Sequence, residues 1–184
     1  TGFTSGNFLK LDQSTAQTIS GGQPVLNEGI VFNTGATLIT GHTRGKMYYD
    51  DEYQTISVDV GTETTLQLGQ EAVRYVYNDT GSVIPNGSVV RDTGVYNAGG
   101  LNTVTIGLAI ATGITTSNVI GMATQDIPSG GYGYITTRGN VNKLDTLNGA
   151  FSGMTEGDEL YLSPTIPGGI TNVAPATPDI VVNL

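Results

Sequence analysis

Glycine punctuates this chain so often that no long helix can persist in it, and that constraint does most to limit the fold. The 184 residues include 27 Gly and 7 Pro, and inside a helix each Gly costs about 1 kcal/mol and each Pro about 3 kcal/mol relative to Ala. The pieces left between them are short and read as strands. Thr55 to Val60 alternates, with Ile56, Val58 and Val60 on one face and Ser57 and Asp59 on the other. Thr103 to Ile110 repeats the pattern with Val104, Ile106, Leu108 and Ile110. Both predict half-buried strands with the apolar set inward. Ala72 to Tyr77, Tyr132 to Arg138 and Glu159 to Leu162 are β-branched or aromatic runs. They lie between the turn signals "NDTGS" at 78–82, "IPNGS" at 84–88, "PSGG" at 128–131 and "PGG" at 167–169. "TSNVIGMATQDI" has some helical spacing, but Gly121 and its β-branched neighbours favour a strand. The expected fold is all-β: a short-stranded β-sandwich or barrel domain preceded by an extended, Gly-rich N-terminal β-module or arm.

The organisation changes near "LQLGQEAVRYVYN". Before Leu66, Gly21, Gly22, Gly29, Gly35, Gly41 and Gly45 interrupt short apolar pieces, whereas after Gln70 the strands are longer and better patterned. The division expected is an arm or small β-module over 1–68, serving oligomerisation or attachment, and a compact β-domain over 69–184. The tail "TNVAPATPDIVV" carries two prolines that make it an edge strand or extended linker. Within the arm, "LDQSTAQTISGGQPVLNEGIVF" (11–32) places Ile19, Val25, Leu26, Ile30, Val31 and Phe32 in neither helical nor alternating spacing. A segment this sparse needs a neighbour to bury it, either its own chain or another copy.

Charge excludes several roles. Charged residues make up 12% of the chain against a norm of about 25%, and 16 acidic against 7 basic side chains give a net charge of -9. Such a chain repels a phosphate backbone, so no nucleic-acid partner is expected. With no Cys there is neither a disulfide framework nor a thiolate metal site. No apolar run approaches the roughly 20 residues that span a bilayer, and no basic segment followed by an apolar one opens the chain. A soluble protein without membrane insertion is expected, and Thr1 in place of Met leaves room for a longer polypeptide.

Few residues look chemically active. Asp50, Asp51 and Glu52, and again Glu156, Asp158 and Glu159, offer the oxygens a hard cation wants, yet acids in these positions serve equally well as turn formers. No metal ligand is assigned to either group. His42, the single histidine, lies in the loop "TGHTRG" and is expected at the surface rather than in a catalytic pair. Glycan cleavage would need two carboxylates about 5 to 9 Å apart in a groove, usually lined by aromatics, and there is no Trp here. Arg74, Arg91, Arg138 and Lys143 are too scattered to prepare an anionic transition state. The expectation is therefore no enzyme, with no catalytic, cofactor-binding or metal residue. The tyrosines are more suggestive: Tyr48, Tyr49 and Tyr53 form one group, Tyr132 and Tyr134 with Tyr75 and Tyr77 another. A ring with a hydroxyl suits sugar or protein contact, and cross-strand packing is the plainer reading.

Several segments carry a family resemblance. "LDQSTAQTISGG", "GKMYYDDEYQTISV", "LQLGQEAVRYVYNDTGSVIPNGSVV", "VIGMATQDIPSGGYGYITTRGNV" and "EGDELYLSPTIPGGITNVAP" resemble, in that order, modules of bacteriophage virion proteins, chiefly tail fibres and related head or baseplate fibres. The second half is also similar to small β-rich decoration domains on phage capsids. The resemblance implies a structural protein on the virion exterior, a homotrimer without cofactors. Its implied partners are tail, baseplate or major capsid proteins and a host surface glycan or receptor. In homotrimeric fibres, chains wrap one another and complete a shared core, which would give the opening segment its neighbour.

Overall fold

The computed structural model describes residues 41–141 and 153–182, with Phe32, Leu144, Phe151 and Leu184. Ile19, Val25, Leu26, Ile30, Val31 and Lys143 lie outside the described residues. The chain divides between Phe32 and Asn33, and all elements below belong to the unit Asn33–Leu184. The expected boundary at 68/69 falls inside that unit, between its third and fourth strands.

The fold is all-β. Among the described residues ten strands follow one another: β1 (Met47–Asp50), β2 (Thr55–Asp59), β3 (Thr65–Gln67), β4 (Ala72–Asn78), β5 (Val89–Ala98), β6 (Leu101–Leu108), β7 (Val119–Ala123), β8 (Gly131–Arg138), β9 (Tyr161–Leu162) and β10 (Ile170–Thr171). Strands β4-β6-β5-β7-β8 close into a barrel, β1-β2-β3 form a small antiparallel sheet, and β9 pairs with β10. Of the two architectures expected from the sequence, the barrel is realised. "TSNVIGMATQDI" supplies β7, a strand as its Gly121 implied. No helix among the described residues is long and apolar enough to cross a membrane.

Four of the five barrel seams are antiparallel. The fifth, β4 against β6, is parallel and only two pairs long, Tyr77↔Thr105 and Asn78↔Ile106. The "NDTGS" turn holds this short seam in place. Asn78 is fully buried; its amide donates to the Ser82 and Ile127 carbonyls at 2.8 and 2.9 Å, and its oxygen accepts from the Thr80 amide and hydroxyl. A buried amide with both ends satisfied closes the barrel end without an orphaned polar group.

Two cores meet at one dipeptide. Val90 belongs with Val76, Ile84, Ile106, Ala123, Ile127 and Ile135 inside the barrel, while Val89 belongs with Ala109, Ala111, Leu162 and Ile170 outside it. Successive strand residues point to opposite faces, so β5 feeds both clusters at adjacent positions. The "PGG" turn locks the outer layer down. The Val89 amide donates to the Gly168 carbonyl at 2.8 Å, and the Gly168 amide donates to the Ala109 carbonyl at 2.7 Å. Gly168 has φ +72, a conformation that favours glycine, and a Cβ there would lie 2.7 Å from the end of the Leu108 side chain. The proline-bearing tail stays irregular but bonded, with Leu162 donating to Val182 and Ile180 to Ala111.

One face prediction inverts. On β2 the buried residues are Ser57 and Asp59, at 0% and 1% exposure, whereas Ile56, Val58 and Val60 are only half-buried. Asp59 can be buried because its carboxylate accepts from the Thr43 amide at 2.8 Å and the Thr65 hydroxyl at 3.0 Å. The Ser57 hydroxyl donates to Asp50 at 3.4 Å. Satisfied hydrogen bonds offset the desolvation that the sequence pattern alone would forbid. On β6 both faces are covered: Ile106 faces the barrel core, and Thr103 and Thr105 are buried on the other side.

Packing in the barrel is tight enough to test with one methyl group. A Cβ on Gly133 would lie 2.6 Å from Ile127, itself fully buried. Gly133→Ala is expected to lower unfolding free energy by about 1–3 kcal/mol. Gly113→Ala, which would meet only Thr116 at 3.5 Å, serves as the neutral control. Equal denaturant midpoints for the two variants would show that the interior yields.

Candidate functional site

Register turns isolated tyrosines into a surface. On β4 and β8, Tyr75 pairs with Tyr134 and Tyr77 with Tyr132. Because residues two apart on a strand share a face, all four rings stand on the outside of the barrel while Val76 and Ile135 point inward. Tyr75 stacks diagonally on Tyr132, centroids 5.2 Å apart and planes 3° from parallel, and lies tilted against Tyr134 at 5.1 Å. Tyr77 meets Tyr132 edge-on at 5.1 Å.

A fifth ring, Tyr96 on β5, completes the ribbon. It stacks on Tyr77 at 3.9 Å and 5° and approaches Tyr132 edge-on at 6.3 Å. The sequence grouping missed it because β6 lies between β4 and β5. The two rings meet across that strand, whose residues Thr103 and Thr105 are small and buried. The only sequence signal is the hairpin "VYNAGGLNTV", in which Gly99 and Gly100 both have positive φ and thereby turn Tyr96 back alongside Thr103. Desolvation among the rings, then the neighbouring Tyr96 hydroxyl, pushes Tyr77 above its ordinary pKa. Tyr75 and Tyr96 keep 45% and 37% of their surface exposed.

One end of the ribbon is fixed by the loop after β2. The Tyr134 hydroxyl donates to the Val60 carbonyl at 2.9 Å, and the absence of a side chain at Gly61 lets the loop approach the ring, since a Cβ there would sit 3.2 Å from Tyr134. Beside this contact opens a cleft of about 170 Å³ lined by Arg44, Thr62, Tyr75, Gln125, Tyr132 and Tyr134, among others.

The second polar centre is structural. His42, expected at the free surface, is tethered, with its Nδ1 3.0 Å from the Thr65 hydroxyl and 3.4 Å from Asp59 Oδ1. Since the Thr65 hydroxyl spends its one proton on Asp59, the facing imidazole nitrogen is assigned as a donor. These residues hold one another in place through hydrogen bonds. They fasten the 41–46 segment to β2 and β3 beside a 230 Å³ cavity whose lining includes Asp50, Glu52 and Glu63.

Two of the acidic side chains singled out in the sequence, Asp50 and Asp158, act as turn formers. Asp50 Oδ1 accepts from the Glu52 and Tyr53 amides at 3.0 and 3.3 Å, closing the β1–β2 connection. Asp158 accepts from the Thr155 amide and hydroxyl and from Asn172. The Glu159 carboxylate accepts from the Tyr161 hydroxyl at 2.6 Å and raises its pKa. Among the described residues no three His, Asp or Glu side chains converge as a metal site would require. Arg74, Arg91 and Arg138 form no ion pair among the described residues. Comparison with protein-family models, curated proteins and solved structures finds no match to this chain in any of the three.

Two measurements follow. The amide and hydroxyl of Thr155 and the amide of Asn172 hold the Asp158 carboxyl below its ordinary pKa. A depressed carboxyl contributes stability that is present above its unfolded pKa and lost as pH falls through the folded one. Asp158→Asn should therefore lower the melting midpoint at neutral pH, and the difference should shrink as acidification carries the carboxyl through its lowered folded-state pKa. A pH-independent difference would assign the effect to shape rather than charge. A chelator should leave the parent's midpoint unchanged, because removing a bound cation would withdraw native-state stabilisation by mass action. A fall of many degrees would identify an acidic cluster as a metal site.

Proposed function

We propose that this chain is a non-enzymatic structural protein of a bacteriophage virion, carried on the particle exterior as a homotrimer and serving host attachment in the manner of a tail-fibre module. The observation that supports the reading best is the five-tyrosine ribbon, a rigid and partly exposed aromatic surface mounted on a closed barrel. Tyrosines combine apolar area with hydrogen bonding at low conformational cost, which is why they concentrate in recognition surfaces. Around the ribbon the chain has what an extracellular scaffold needs: no thiol to oxidise, few charges to attract stray partners, and two apolar cores.

A second reading, capsid decoration or a head fibre bound to the major capsid protein, is favoured by the β5–β6 hairpin. It runs past the two-pair contact with β4 to a Gly99–Gly100 turn and exposes Val95 and Leu101 at 64% and 62%. Apolar residues displayed on a projecting hairpin suit docking against another virion protein. Antibody labelling of intact particles viewed by electron microscopy separates the two, with label on tail fibres expected and label over the head supporting the alternative. Mass measurement in dilute solution is expected to give three copies, and a stable compact monomer would remove the fibre reading.

A further inference from the structure

We infer that the cleft between Arg44 and the tyrosine ribbon is a binding site for a saccharide bearing a carboxylate, such as a uronic acid. This rests on the attachment reading and names the ligand class for that surface. Arg44 is exposed, and among the described residues it has neither an ion pair nor a hydrogen bond. In a chain of net charge -9, a cation left without a carboxylate beside an aromatic wall is complementary to an anion from outside. None of the described residues lining the cleft carries a carboxylate to compete for it.

The walls specify more than charge. Tyr75, Tyr132 and Tyr134 offer ring surface to the apolar face of a pyranose, Gln125 and Thr62 offer hydrogen bonds to its hydroxyls, and the guanidinium presents a planar fork that matches a carboxylate. At about 170 Å³ the cleft lies below the 300–1,000 Å³ of drug-sized sites, leaving room for one sugar ring but not for a docked helix or strand. It is also pre-formed. The Tyr134–Val60 hydrogen bond and the close approach of Gly61 fix one wall, and ring stacking fixes the other, so little ordering entropy is lost on binding.

The test is calorimetric titration of the full chain with three probes: oligogalacturonate, its fully methyl-esterified form, and a glutamate oligopeptide of similar charge. Oligogalacturonate is expected to bind roughly tenfold more tightly than the ester, as one charge-assisted contact warrants. The preference should disappear in Arg44→Gln, recover partly in Arg44→Lys, and survive Arg138→Gln. Tyr75→Ala should weaken both sugars alike. If that variant fails to melt cooperatively, the Arg44 variants at an exposed position decide the matter.

Equal binding of acid and ester, binding of neither, or a preference untouched by Arg44→Gln would each overturn the inference. So would a glutamate peptide that binds as well as the sugar through Arg44, since the cleft would then receive a protein side chain. Particle labelling tests the underlying reading separately. A protein found on the virion exterior that ignores all three probes refutes the saccharide site and leaves the virion assignment standing, whereas Arg44-dependent sugar binding by a protein absent from the particle does the reverse.

Discussion

Closure of the barrel hangs on a parallel contact two residue pairs long, and the rest of the architecture depends on it. Parallel pairing is slightly less stable per residue than antiparallel pairing, and two pairs alone would not keep β4 against β6. The added strength comes from Asn78, whose amide fills the barrel end with four hydrogen bonds to Ser82, Ile127 and Thr80. Outward-facing Tyr77 is the neighbour of Asn78 on the same seam. The residue that seals the interior is thus adjacent to the one that joins two halves of the aromatic ribbon, so the ribbon inherits its rigidity from the closure.

A similar economy governs the outer layer. Val89 and Val90 divide between the two cores, and the backbone of Val89 also anchors the turn at Gly168. The C-terminal segment is therefore bonded to a central barrel strand rather than to an edge, which ties its loss to disruption of β5.

Local pattern carried the strands and their turns because alternation and turn chemistry are properties of neighbouring residues. Ala72 to Tyr77 and Tyr132 to Arg138 became strands, Thr103 to Ile110 did so as far as Leu108, and "NDTGS" and "PGG" became the connections their Gly and Asn residues imply. What the sequence did not disclose depended on partners far along the chain. Ser57 and Asp59 are buried because Asp50 accepts from the Ser57 hydroxyl while Thr43 and Thr65 donate to the Asp59 carboxylate. His42 is tethered for the same reason. The tyrosines were recognisable as a type, and their pairing followed from register, but Tyr96 joined them by reaching over β6, and Arg44 came to line the same cleft from the segment ahead of β1.

The ribbon also has an optical consequence. The chain contains no tryptophan, so its near-ultraviolet emission arises from nine tyrosines. Five of them form an unbroken series with centroid separations from 3.9 to 6.3 Å. At such spacings excitation absorbed by one phenol migrates to its neighbours before it is emitted. The series should then dim as a group when any one ring is quenched, giving the protein an intrinsic, label-free reporter of whatever settles on that face.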